Sequence, residues 1–240
     1  MAITQRYLIL TGLILLGFLD ANAQPAPIPV KFRVLSISNL NGIEPILCDI
    51  SANKPVVIRP THNQFTDELS CPPNSEVVFY RERPSPTPNG SPVRVSVGSA
   101  RLADGGPYLV TLFTVRDSTG TDNNQVKVLD NSWSAHPINS ARVINFSRRH
   151  SAVKLALSAQ ELAFTEAHIF PYPGNKGYVL LKIATRENGE WNLRWDTAQG
   201  IVPSARPTFI INDTPPSEDD PNPLTIEIIT IWDPSRPTKG

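Results

Sequence analysis

Two seven-residue stretches, FRVLSIS (residues 32–38) and ARVINFS (residues 141–147), repeat one pattern of apolar and polar residues about 109 positions apart. Each stretch begins with apolar residues at alternate positions on either side of an arginine. The alternation then shifts by one residue, so that the later apolar residues occupy the positions that a regular alternation would give to polar ones. Because side chains alternate across a strand, such a shift sends those groups to the opposite face. We therefore expect a β-bulge, or a strand that leaves one sheet for its partner, in each stretch.

Three further pairs of segments follow these stretches in the same order, which predicts an internal duplication. They are CPPNSEVVFYRE with YPGNKGYVLLKIA, GPYLVTLFT with RPTFIINDT, and QVKVLDN with TIEIITIWD. In the second pair, Pro107 and Pro207 each stand just before the apolar run. One matching shift is compatible with chance, whereas four pairs of similar segments in the same order indicate two copies of one unit.

Short apolar segments separated by Gly, Pro, Asn and Asp clusters predict strands along the whole chain. The expected strands are 31–38, 45–50, 55–59, 76–82, 93–97, 107–115, 125–130, 141–147, 152–157, 161–164, 178–185, 190–195, 207–212 and 224–232. One alternative is a capping box at residues 158–161 that opens a short helix. The repeat register favours a strand there.

The predicted fold class is all-β, with two tandem antiparallel immunoglobulin-like β-sandwich domains from an internal duplication. The expected organisation is a signal peptide (1–23), a linker (24–30), a first domain (31–137), a second domain (138–233) and a polar tail (234–240).

The first residues have the order of parts of a secretory signal peptide. Arg6 precedes an apolar stretch from Tyr7 to Phe18, and Ala21-Asn22-Ala23 forms an A-x-A cleavage site. A helix of that stretch covers roughly 18 Å, against about 30 Å of bilayer hydrocarbon. We therefore predict export to the periplasm, the cell surface or the medium, with cleavage after Ala23 and no membrane span in the mature chain.

Composition limits the classes of partner. Lys plus Arg and Asp plus Glu are equal at 22 each, and no long basic run occurs. This balance argues against a nucleic-acid partner or an anionic membrane surface. The 24 prolines cluster between the apolar segments, where they suit loops that join strands.

ARVINFS followed by AVKLAL, a Pro/Gly turn, YVLLKI and a final strand resembles the tandem β-sandwich domains of unknown function found in exported bacterial proteins. Units of that family often open with an Arg-Val-x-x-x-Ser strand and commonly occur in pairs. The resemblance covers roughly residues 31–233. It departs at RPSPTPNGSP and SEDDPNP, and it implies a fold without implying an activity.

Two cysteines, Cys48 and Cys71, are the only ones in the chain. After an export signal, two thiols in one domain usually pair, so a structural disulfide is predicted. A redox or metal site would need C-x-x-C or histidine ligands at suitable spacing, and neither occurs.

Other chemistry-bearing residues give weak signals. His62, His136, His150 and His168 lack metal-binding spacing, and no cofactor motif is found. Glu218, Asp219 and Asp220 form one acidic cluster, a weak calcium candidate that is more often a solvated loop. The sequons at Asn145 and Asn212 coincide with apolar strands, so neither is expected to be an exposed acceptor.

In EWNLRWD, strand periodicity puts Trp191, Leu193 and Trp195 on one face. If that face is exposed, the two indoles can stack against sugar rings or a partner's apolar side chains. Since Asn192 and Arg194 occupy the other face, we expect the tryptophans to be core residues instead.

The leading functional hypothesis is an exported, non-enzymatic β-sandwich protein with a structural, adhesive or interaction role. An alternative is a glycan-binding module that uses Trp191 and Trp195. A second alternative is a hydrolase at the domain junction near His136 or His150. The partner class stays open between a cell-surface protein and a glycan.

Overall fold

The computed structural model describes residues 27–37, 45–50, 55–59, 64–116, 121–174, 177–214, 217–220 and 224–233. These residues form sixteen strands and no helix, and therefore no helix that is long and apolar enough to cross a membrane. The first eight strands are β1 (Val30–Ser36), β2 (Ile46–Asp49), β3 (Val56–Ile58), β4 (Leu69–Cys71), β5 (Ser75–Arg83), β6 (Val93–Leu102), β7 (Tyr108–Arg116) and β8 (Asp122–Asp130). The next eight are β9 (Ser140–Asn145), β10 (Ser151–Leu155), β11 (Ser158–Leu162), β12 (Ala167–Pro171), β13 (Tyr178–Glu187), β14 (Glu190–Gly200), β15 (Pro207–Asp213) and β16 (Ile226–Trp232).

The strands form four sheets of four strands each. The first eight build a first outer sheet (β3-β2-β5-β6) and a first inner sheet (β4-β1-β7-β8). The last eight build a second inner sheet (β12-β9-β15-β16) and a second outer sheet (β11-β10-β13-β14). The all-β class with sheets arranged as β-sandwiches is thus confirmed.

The two halves have the same strand order: adding eight to each strand number of the first pair of sheets gives the second pair. Each inner sheet contains one parallel pair, β1 with β7 and β9 with β15. The other strand pairs are antiparallel. The expectation of purely antiparallel sheets was therefore wrong at one position in each half.

Three apolar cores separate the four sheets. The first core lies between the first outer and inner sheets, and the second core between the second inner and outer sheets. The third, which we call the junction core, lies between the two inner sheets. Its buried members are Leu35, Ile37, Leu109, Phe113, Ile144, Phe146, Ile210, Ile229 and Ile231. Both faces of each inner sheet are therefore covered by apolar side chains.

This double burial explains the repeated irregularity, and the predicted bulge or change of sheet at these strands was wrong. Strand β1 pairs with β7 in unbroken register, as β9 does with β15. Phe32 and Val34 point into the first core, whereas Leu35 points into the junction core. In β9, Val143 points into the second core and Ile144 into the junction core. The strands are regular and have apolar residues on both faces.

Matching bulges do occur, but in the hairpins of the outer sheets. The register shifts between Phe79 and Tyr80 in the β5–β6 pair, and between Ile183 and Ala184 in the β13–β14 pair. The β13–β14 hairpin closes through Asn188 and Gly189, both at positive φ, as a two-residue hairpin turn requires. The equivalent β5–β6 connection is longer and runs through residues 84–92.

The predicted strands correspond to fourteen of the sixteen found in the described residues; the two that were missed are β4 and β12. These two occupy equivalent edge positions of the inner sheets. The alternative helix at residues 158–161 does not form, because Ser158–Leu162 pairs with β10 as strand β11.

We expect Ile144→Ala, in the middle of the junction core, to lower the free energy of unfolding by about 2–5 kcal/mol, because the cavity loses contacts to both inner sheets. Leu157→Ala is the control, since Leu157 is 93% exposed and its truncation should change stability by less than about 0.5 kcal/mol. Urea denaturation measures both. A cost for Ile144→Ala no greater than that of the control would contradict the packing of the two halves.

Candidate interaction face

The outward surface of β13 and β14, which we call the interaction face, exposes large apolar side chains. Along β13, Val179, Leu181 and Ile183 point into the second core, and the alternating positions point to solvent. Tyr178 is 62% exposed and Leu180 is 48% exposed. On β14, the equivalent outward positions include Leu193, which is 58% exposed, and Trp191, which is 40% exposed.

Five cross-strand pairs define the interaction face. In order along β13 they are Tyr178–Gly200, Leu180–Ala198, Lys182–Asp196, Ala184–Leu193 and Arg186–Trp191. Within each pair, one member is large and the other small, or one is cationic and the other anionic or aromatic. The central pair is an ion pair with 2.7 Å between Lys182 Nζ and Asp196 Oδ2. The Arg186 guanidinium lies 5.9 Å from the centre of the Trp191 ring.

The two tryptophans proposed as a stacking pair lie on opposite faces of β14, so their assignment to one face was wrong. The bulge opposes Ile183 to Trp195 and Ala184 to Leu193, which leaves Arg194 as the extra residue. Trp195 consequently packs against the second core, whereas Trp191 points outward. The expectation of a core position holds for Trp195 alone.

A network of charges braces the hairpin that carries Trp191. Glu187 accepts hydrogen bonds from Thr185 (2.7 Å) and Arg149 (3.2 Å), and it forms an ion pair with Arg194. Burial alone would raise the pKa of Glu187, but these hydrogen bonds and the two arginines lower it below its usual value. The hairpin is therefore anchored while its outward side chains remain exposed.

A second charged cluster, which shares Arg149, holds the residues directly before β16. Asp213 accepts hydrogen bonds from Ser147 (2.5 Å) and Arg149 (2.7 Å). Burial would raise the pKa of Asp213, but the hydrogen bonds lower it. Arg149 also donates to the carbonyl oxygens of Leu224 and Thr225, which fixes the start of β16.

The first outer sheet exposes Val57, Val93 and Val95, but it differs at the positions equivalent to the pairs of the interaction face. At the place equivalent to the exposed pairs, Arg94 lies 4.2 Å from the centre of the Tyr80 ring and forms an ion pair with Asp49. Tyr80 also donates its hydroxyl hydrogen bond to Asp49, at 3.0 Å, and is buried. Val57, which is 51% exposed, provides an outward apolar side chain there for comparison.

The two histidines of the hydrolase hypothesis lie in different surroundings. His136 belongs to the segment that joins the halves and is fully buried. Burial, followed by the charges of Arg142 and Arg206, lowers the pKa of His136 to about 3, so the imidazole is neutral near pH 7. His150 lies in the turn between β9 and β10 and is exposed.

Arg206 binds the joining segment to the second half. Its Nη1 donates to the carbonyl oxygens of Asn131 (3.1 Å) and His136 (2.9 Å), and its Nη2 binds the Asp233 carboxylate. The guanidinium lies 3.9 Å from the centre of the Trp133 ring. Asp233 also accepts from Arg33 of β1, at 3.0 Å. One buried carboxylate thus links the first and last strands of the molecule.

The predicted disulfide is not formed. Cys48 of β2 and Cys71 of β4 lie on opposite sheets of the first sandwich, and both are buried free thiols within the first core. Burial, with the nearby charge of Asp49, raises the pKa of Cys48 to about 12, and burial also raises the pKa of Cys71. Since the thiolate is the reactive form, both residues behave as small apolar core groups.

The acidic cluster lies in an exposed turn. Glu218, Asp219 and Asp220 are exposed, and Asp220 closes a turn with Ser217 through two hydrogen bonds. Within the described ranges, no group of three or more His, Cys, Asp or Glu residues is arranged to hold a metal ion. Asn145 and Asn212 are both buried, as expected for sequons that lie in strands.

An open cavity of about 550 Å³ lies along the edge strand β3. Its described walls are Val56, Val57, Ile58, Arg59, Gln64, Phe65, Thr66, Asp67 and Leu69. The polar members of these walls are Arg59, Gln64, Thr66 and Asp67, and the Thr66 hydroxyl is already bonded to the backbone of Val34 and Asp67. The walls therefore assign no particular chemistry to the cavity.

No protein-family model matches the chain, and no curated protein matches it. The functional argument therefore depends on the chain's own geometry. Sequence reasoning missed Tyr178, Leu180, Lys182 and Asp196. The available signal was YVLL at the start of β13, where consecutive apolar residues occupy both faces of a strand.

We expect acid to destabilise the fold through His136. Its pKa when buried is about 3 and its ordinary value is 6.5, so the unfolded chain binds more protons between these values and stability falls as pH falls. The contribution reaches about 1.4 kcal/mol per pH unit below pH 6.5. His136→Leu should flatten the dependence of unfolding free energy on pH between pH 7 and 5. Equal slopes for the variant and the parent chain would contradict this role.

Thiol titration tests the state of the cysteines. Purified chain should show essentially no thiol reactive toward an aromatic disulfide reagent while folded, because both thiols are buried. In denaturant, without reductant, both Cys48 and Cys71 should react. A denatured chain with no reactive thiol would mean that the two are bonded.

Proposed function

We propose that the chain is an exported, non-enzymatic β-sandwich protein with an interaction role in the cell envelope or outside the cell. The observation that carries the proposal is the interaction face. It presents Tyr178, Leu180, Trp191 and Leu193 on a surface whose backbone is held by two packed sandwiches. Exposed apolar groups around a central ion pair are typical of a surface that a partner covers.

Rigid presentation supports the same proposal. The junction core and the Arg33–Asp233 ion pair join the two halves, and the face lies on the outer sheet of the second half. A surface that is ordered before binding loses less conformational entropy when a partner docks.

We infer export from the N-terminal 23 residues, which lie outside the described residues. The support is the order of the basic residue, apolar stretch and A-x-A site. The resemblance to exported tandem β-sandwich domains agrees with this compartment. The mature chain would carry no membrane span, and its partner would be a cell-surface protein or a glycan.

We also propose that the halves descend from one duplicated unit of immunoglobulin-like type. Three features support duplication: the identical strand order, the parallel pair in each inner sheet, and the bulge at equivalent places in β5–β6 and β13–β14. The interaction face then belongs to one copy, where the other copy has Tyr80 covered by Arg94.

Glycan binding is the second candidate, favoured by Trp191 and Arg186. An outward indole can stack against a sugar ring, and a neighbouring guanidinium can donate to its hydroxyl groups. Trp195 is unsuitable for the same surface because it packs against the second core. A flat platform of two indoles is therefore not present on this strand.

Photo-crosslinking in the producing cell tests the proposal. A benzophenone side chain at Leu193 should form adducts with a macromolecule, because that position lies on the interaction face and is exposed. The same group at Val57, which is equally accessible on the first outer sheet, is the matched control. Adducts with protein at 193 and not at 57 would support protein binding, and carbohydrate adducts would favour the glycan candidate. Absence of adducts at both positions would overturn an interaction role for this face.

A further inference from the structure

We propose that the interaction face binds the same face of a second copy of this chain, forming a two-fold dimer in which β13 of one copy lies over β14 of the other. This inference rests on the proposed function, since it names the partner for the same surface. A face-to-face dimer with closed symmetry uses one patch twice, so the patch must complement itself.

The pairing of β13 with β14 meets that condition at each of its five outward positions. Consider two copies related by a two-fold axis that is parallel to the strands and midway between β13 and β14. Each outward residue of one copy then faces, in the second copy, the same residue that is its cross-strand neighbour within its own chain. Leu180 then faces Ala198 of the second copy, and Leu193 faces Ala184 of the second copy. Large side chains meet small ones, as interdigitating sheet faces require.

The charges satisfy the same symmetry. In the centre, Lys182 of each copy faces Asp196 of the other, so two intermolecular ion pairs join the one that exists within each chain. At the ends, Tyr178 faces Gly200, and Arg186 faces the ring of Trp191, a favourable cation–aromatic arrangement. None of these five pairs would place two like charges opposite each other in the dimer.

The two strands have 10 and 11 residues, which sets the size of the contact. At about 3.4 Å per residue and about 4.8 Å between strands, the overlapping ribbon covers roughly 350 Å² per copy. Interfaces that bury less than about 1,200 Å² in total are weak or transient. The dimer should therefore dissociate at low micromolar concentration and form as concentration rises.

Sedimentation equilibrium of the purified chain lacking residues 1–23, from about 10 to 500 μM, measures this association. The weight-average mass should rise from monomer toward dimer. Leu193→Lys should keep the chain monomeric, because it places a charge against Ala184 of the second copy. Val57→Lys, on the first outer sheet, should leave the association unchanged.

A charge exchange between two variants makes the test specific. Lys182→Asp and Asp196→Lys should each abolish self-association, because like charges then meet across the axis. Mixing the two variants should restore a dimer, since the carboxylates of one variant face the ammonium groups of the other. Mere damage to the fold of either variant cannot produce that rescue.

The outcomes separate this inference from the proposed function. A parent chain that remains monomeric to 500 μM, a mixture without rescue, or association unaffected by Leu193→Lys would each overturn the dimer. If the benzophenone at 193 still forms adducts with another macromolecule, the interaction role remains and only the identity of the partner is wrong.

Discussion

The fold depends on the contact between the two inner sheets. Each inner sheet has one apolar face in its own sandwich and a second in the junction core, and the central strands β9 and β15 consequently contain no exposed residue. Strands β1 and β9 consequently have apolar residues on both faces. Separating the halves would expose Leu35, Phe113, Ile144 and Ile210 to water, and the free-energy cost of that exposure holds four sheets together as one stack.

Polar groups at the end of the stack give this contact a definite geometry. Apolar packing is non-directional, whereas the buried carboxylate of Asp233 must satisfy its charge through Arg206 and Arg33. Arg142 adds hydrogen bonds to the Asn131 side chain and the Asp130 carbonyl oxygen, and burial lowers its pKa only to about 10, so it stays charged at neutral pH. Rotation of one half against the other would break several of these bonds at once, leaving buried charges unpaired.

The strands and the two-unit organisation could be predicted because period-two patterns and Pro/Gly punctuation are local signals. Strands β4 and β12 could not, since LSC and AHIFP are short and have no alternating apolar run. The cause of the irregular phase in β1 was also beyond local reasoning: a bulge and a strand with two buried faces produce the same string of residues. The position of Trp195 required knowledge of the bulge beside it, and the placement of Cys48 and Cys71 on opposite sheets required knowledge of the strand order.

Strand β13 also has apolar residues on both faces, but it belongs to an outer sheet, where one face is exposed to solvent. In β1 and β9 the second apolar phase is covered within the chain, and those faces contribute to stability. In β13 the same pattern gives Val179 and Leu181 to the second core but leaves Tyr178 and Leu180 in water, where their exposure has no benefit to folding. Since each outward residue of β13 has a complementary neighbour on β14, a sheet surface that packs against another such surface accounts for both the exposure and the pairing. The molecule already makes one sheet-to-sheet contact of this kind at its junction, and the interaction face has the side chains for a second, between chains.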